Sequence, residues 1–115
     1  MTDIDASTLY GTLNLLLLQA LEHEPGHGLE IQRRIERLSE AALNVEEGAL
    51  YPGLRRLERD GLVTSEWGIS DARRRARFYQ ITRKGRARLA RERASWLDTV
   101  RAVGRVLRIR PEEVG

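Results

Sequence analysis

Cysteine is absent from all 115 residues, which excludes disulfides, zinc–thiolate centres and cysteine nucleophiles and is compatible with a reducing cytoplasm. Aromatic residues make up only 5%, so any core is aliphatic. Long apolar runs are missing too: LNLLLLQAL at 13–21 falls well short of the roughly 20 residues that a spanning helix needs, and it reads as a buried helix. Asp3 and Asp5 stand where a secretion signal carries positive charge, so no leader is expected. Histidine occurs twice, and His23 and His27 have the spacing of a helical metal pair. Pro25 and Gly26 interrupt any helix between them and no third ligand is in view, so no metal site is expected. With two loop histidines, no cysteine and no phosphate-cradling glycine loop, the chain lacks the constellation an enzyme requires, and neither catalysis nor a cofactor is expected.

What the chain has is charge, at 32%, and its placement is uneven. Residues 1–50 hold nine acids and three bases, residues 51–95 thirteen bases and five acids, and residues 96–115 four bases and three acids, within a net charge of +3. Positive charge concentrated in the middle of a chain is the footprint of a face that meets a polyanion; a solvated arginine face is the plain alternative. The length suits one domain with a thin core.

Hydrophobic periodicity divides the chain into elements. Ser7 or Thr8 is placed to cap a first helix with Leu9, Leu13, Leu16, Leu17, Ala20 and Leu21 at helical spacing, and Leu15 and Leu18 widen that stripe until it asks for cover on both flanks. EHEPGHG at 22–28 breaks the helix, and Leu29, Ile31, Ile35 and Leu38 mark a second, to about Ser39. Asn44 with Glu47 has the form of a capping box for a third helix whose inward face is Leu50, Leu54 and Leu57; Pro52 predicts a local kink or a later start, and Gly61 a left-handed stop. LVTSEWGI at 62–69 and ARFYQIT at 76–82, flanking SDARRR, read as a two-stranded hairpin with a basic tip. Thr82 then caps a long helix from Arg83 to about Leu107, with Leu89, Trp96, Val100, Val103 and Leu107 near heptad positions and Arg93 interrupting the seam.

Three helices, a hairpin and a further helix outline a winged helix-turn-helix: mainly α with a small β-hairpin, residues 1–82 forming the DNA-binding unit and 83–110 a C-terminal dimerisation helix in the same structural unit. In that fold the third helix buries its leucines and offers Arg55, Arg56 and Arg59 to the major groove of double-stranded DNA, with Tyr51 one turn earlier. Arg73, Arg74, Arg75 and Arg77 on the wing are placed for the minor groove or the backbone. Trp67 on the first wing strand is expected to pack against the domain body.

GTLNLLLLQALEHEPGHGLEIQRRI at 11–35, GALYPGLRRLERDGLV at 48–63 and SEWGISDARRRARFYQITRKGRARL at 65–89 together resemble the PadR transcriptional regulators, over about 100 residues that include the distinctive Leu50-Tyr51-Pro52 core. The resemblance implies a homodimeric repressor in the cytoplasm, associated with the nucleoid, whose C-terminal helix packs on the partner's first helix. Leu13, Leu17, Leu89, Trp96, Val100, Val103 and Leu107 are the expected interface. It also implies a possible small aromatic effector, for which Trp96 is the candidate, although a large aromatic at a heptad position ordinarily packs a seam. Ala49 stands where the family commonly has serine or threonine. The competing function is a winged-helix module that docks an acidic protein without sequence-specific DNA binding.

Overall fold

The computed structural model describes residues 6–110, with side chains from residue 12 onward. The elements run α1 (Ala6–Ala20), β1 (Gly26–His27), α2 (Gly28–Leu38), α3 (Glu47–Arg59), β2 (Val63–Ile69), β3 (Arg75–Ile81) and α4 (Arg83–Leu107). Helix α1 is already formed at Ala6, so Ser7 and Thr8 lie inside it and its cap falls outside the described residues. One aliphatic core, with Leu13, Leu17, Leu18, Leu21, Ile31, Ile35, Leu50, Leu54, Leu57 and Leu89 among its members, joins the first three helices to the sheet and to the start of α4. Burying each leucine-sized side chain is worth roughly 1.5–3 kcal/mol.

The loop between α1 and α2 is organised by one arginine. Arg34 donates to the carbonyls of Ala20 at 2.9 Å, Glu24 at 3.1 Å and Pro25 at 2.7 Å, which satisfies acceptors that the end of a helix leaves without partners. That loop also holds a strand the sequence reading missed. Gly26 and His27 pair with Tyr79 and Phe78, so the sheet is three-stranded, ordered β1-β3-β2 and antiparallel throughout, rather than a bare hairpin. His27 then caps α2: its Nδ1 accepts from the Glu30 amide while the Glu30 carboxylate accepts from the His27 amide, a reciprocal capping box.

The box expected at Asn44 does not form. Helix α3 starts at Glu47 behind an N-cap Glu46 that makes no side-chain cap, and the Glu46 carbonyl accepts from Ala49 and Leu50. Pro52 lies inside α3. At the other end Gly61, at φ +77°, closes the helix as expected, with Gly61 N–H on the Glu58 carbonyl and Leu62 N–H on that of Leu57. The chain turns straight into β2. Thr82 caps α4 as predicted, accepting from the Gly85 amide and donating to the Gly61 carbonyl.

Three leucines expected at a subunit interface are elsewhere. Leu13, Leu17 and Leu89 are 2%, 0% and 2% exposed within the single chain, so they have no surface left for a partner. The reason is that α1 packs against α2, α3 and α4 of its own chain; the stripe that looked too wide for one domain is largely covered from within. Leu29 and Leu38 of α2, by contrast, remain exposed.

Candidate nucleic-acid interface

The leucines of α3 fix which way its charges point. With Leu50, Gly53, Leu54 and Leu57 buried, Tyr51, Arg55, Arg56 and Arg59 lie on exposed positions, because residues three and four apart share a face. Arg59 makes a surface pair with Asp60 at 3.3 Å. Arg55 and Arg56 have no ion pair with any described residue. Tyr51 leans across to the first turn of α2, where a Cβ on Gly28 would fall 2.5 Å from its hydroxyl. Glycine at 28 therefore lets the tyrosine lie against α2, and the two helices meet there.

The hairpin is fastened to α3 by a polar chain. Ser65 of β2 donates to the Glu58 carboxylate at 2.6 Å and accepts from Arg77 Nε of β3 at 2.7 Å, and Arg77 closes the triangle on Glu58 at 3.5 Å. Arg77, expected at the duplex, is here a strut between wing and helix, with part of its side chain still exposed. Nearby, burial pushes the Tyr79 phenol above its usual range, and the Glu58 carboxylate adds to the shift.

Trp67 is a correction. It does not pack on the domain body; it is 55% exposed, and the guanidinium carbons of Arg75 and Arg77 lie 4.4 and 5.3 Å from its ring centroid, within cation–π range. The signal was in the strand period. Val63, Ser65 and Trp67 share one face of β2, opposite Ile81, Tyr79 and Arg77, so the face that is buried at Val63 runs out past the body at Trp67. Beyond it the turn places Arg73 and Arg74 at exposed positions, with Arg73 at φ +58°, a backbone region that costs a non-glycine residue energy. A groove of about 400 Å³ separates wing from helices, lined by His27, Tyr51, Trp67, Ser70, Arg75 and Arg77 among others.

Elsewhere, α4 leaves Trp96, Leu97, Val103, Val106 and Leu107 exposed and Val100 half-buried, and Ile109 just beyond it is exposed too. Trp96, Val100, Val103 and Leu107 border an apolar hollow of about 220 Å³, and Trp96 also borders a second one against Leu15, Leu16 and Leu43. Arg93, which interrupts the seam, pairs with Glu22 at 3.5 Å. Among the described residues no cluster of three or more potential metal ligands occurs, and no helix is long and apolar enough to cross a membrane.

The sequence profile of the Transcriptional regulator PadR-like family matches residues 17–91, which run from α1 through the wing into α4. The chain belongs to the PadR-like family. Its fold is accordingly the winged helix with a long C-terminal helix, and its class is transcriptional regulator, not enzyme. Relatives agree. The PadR-like chain is 37% identical over 86 residues to the transcriptional regulator Rv3488 of Mycobacterium tuberculosis, covering 75% of this chain and 79% of that one. A PadR family transcriptional regulator from Eggerthella lenta superposes with a TM-score of 0.73 at 31% identity, over 89% of this chain and 88% of its own. A transcriptional regulator from Clostridium thermocellum shares the fold at a TM-score of 0.78 and 23% identity, covering 86% and 96%.

Proposed function

We propose that this PadR-like regulator is a homodimeric repressor of transcription that binds a palindromic operator in double-stranded DNA, with α3 in the major groove and the wing on the adjacent backbone or minor groove. The observation that carries the reading is where unpaired arginines stand: Arg55 and Arg56 on the exposed face of α3 and Arg73 and Arg74 at the wing tip make no ion pair with any described residue, whereas Arg59 and Arg77 are paired. Unpaired arginines on a helix and on the hairpin fastened to it suit phosphate oxygens and guanine edges. Tyr51, Arg55, Arg56, Arg73, Arg74 and Arg75 are the contacts we assign.

Dimerisation through α4 follows from the apolar side chains that α4 leaves bare. The partner's helix is the occupant we assign to the hollow at Trp96, and a small aromatic effector that loosens the dimer there is the second reading, favoured by an apolar hollow of about 220 Å³ beside an indole. Operation in the cytoplasm, at the nucleoid, goes with this role. The test is selection of bound duplexes from a random pool at stated salt. A recovered palindrome supports both the reader and its symmetry; recovery of no consensus, together with capture of acidic peptides, would replace the repressor with a protein-docking module.

A further inference from the structure

We propose that Trp67 is a contact to the DNA backbone: its indole N–H donates to a phosphate oxygen of the strand lying in the groove between α3 and the wing, with the Arg75 guanidinium beside it. This rests on the DNA-binding reading and extends it to a residue that is neither on the recognition helix nor at the wing tip.

Four observations lead there. First, Trp67 is a large aromatic side chain more than half exposed on the same groove as Tyr51, and its indole nitrogen has no hydrogen-bond acceptor among the described residues. An indole is a donor only. Second, the ring is held rather than free. Arg75 and Arg77 both lie over it, and Arg77 is itself fixed by Glu58 and Ser65, so the direction of the N–H is set before any ligand arrives. Third, the groove is a donor surface. Its lining includes Trp67, Arg75, Arg77, Tyr51, Ser70 and His27 and no carboxylate, and indole and guanidinium groups offer hydrogens and no lone pairs. A phosphodiester, which only accepts and carries charge, is the matching ligand. Fourth, the space of about 400 Å³ opens between the two elements that read DNA, which is where a strand running from one groove to the next must cross. A carboxylate-rich peptide has similar acceptor chemistry, and the test separates the two.

Three variants are compared by melting temperature and by affinity, at one salt concentration, for the duplex recovered by selection and for an unrelated duplex. Trp67→Phe keeps a ring under the arginines and deletes the N–H. It should melt as the parent does and bind both duplexes about tenfold more weakly, since a hydrogen bond to a charged group is worth about that factor and a backbone contact carries no base information. Trp67→His restores a ring N–H and should recover part of the loss; Trp67→Ala should be the weakest. The chain has two tryptophans, so the DNA-induced change in intrinsic fluorescence should disappear with Trp67→Phe, leaving only the steady signal of Trp96.

Parental affinity in Trp67→Phe, with the fluorescence change intact, overturns the proposal. So does a loss confined to the selected duplex, which would make Trp67 a reader of bases, and so does a loss that Trp67→His fails to restore, which would make the ring a packing element only. If the parent protein binds neither duplex, the DNA-binding reading itself fails, and acidic peptide captured by the parent but not by Trp67→Ala would be the occupant of the groove.

Discussion

The face made by α3 and the wing and the face made by the second half of α4 are both exposed, but they are built from opposite materials. On the first, arginines outnumber acids, and Glu58 is paired with Arg77. On the second, Trp96, Leu97, Val103, Val106 and Leu107 stand bare. Charge tolerates water at little cost, whereas contiguous carbon on a surface marks an association site. The first face therefore suits a partner that comes and goes with salt, and the second a partner that stays.

The largest effect should come from putting charge on the carbon face. Val100→Asp combined with Val103→Asp is expected to convert dimer to monomer or aggregate in sedimentation; an unchanged dimer would remove α4 from the interface. Leu17→Ala sharpens the contrast, because Leu17 is core rather than interface. It should lower unfolding free energy by about 2–5 kcal/mol in denaturant titration, with no shift in the dimer–monomer equilibrium of the folded protein.

On the charged face the effects are smaller and appear in binding. Arg55→Ala and Arg56→Ala should divide: a base-reading arginine costs about 1–3 kcal/mol and relaxes one operator position, while a phosphate-binding one weakens all duplexes alike. If the double variant keeps full operator affinity, α3 is not the reader. Smallest in stability is the replacement of Arg73, Arg74 and Arg75 by alanine. It should change unfolding free energy by no more than about 0.5 kcal/mol for the exposed tip, plus about 0.5–1 kcal/mol for the Arg75 contact with Trp67, and reduce the slope of log affinity against log salt by up to roughly 0.9 per lost contact. A parental salt slope would place the wing off the duplex.

The elements that the sequence revealed are those whose signals are local. Leu50, Leu54 and Leu57 at helical spacing, Gly61 as a left-handed stop and Thr82 as a cap all carry their reason within a few residues. What stayed hidden depends on residues far apart in the chain. Gly26 and His27 are too few to show a period, and become a strand only because Tyr79 and Phe78 lie beside them. Arg77 looked like its neighbours on the wing until Glu58, nineteen positions earlier in the sequence, was brought within 3.5 Å. The wide leucine stripe of α1 reported the need for cover, but not whether α4 or a second chain provides it. Asn44 shows the converse failure: a capping pattern with correct spacing was outcompeted when the backbone began its helix at Glu47.

The triangle of Glu58, Ser65 and Arg77 has a thermodynamic consequence. Because it joins α3 to both long strands of the wing, the two elements that we assign to the duplex are held as one body before any partner arrives, and little ordering entropy remains to be lost when they dock. Calorimetry of the complex should accordingly give a heat-capacity change in keeping with docking of a preformed surface, without the large negative excess that accompanies folding on binding. Arg77→Ala would loosen the wing, and the missing order would then be supplied at the moment of association, as a more negative heat capacity and a slower approach to the same complex.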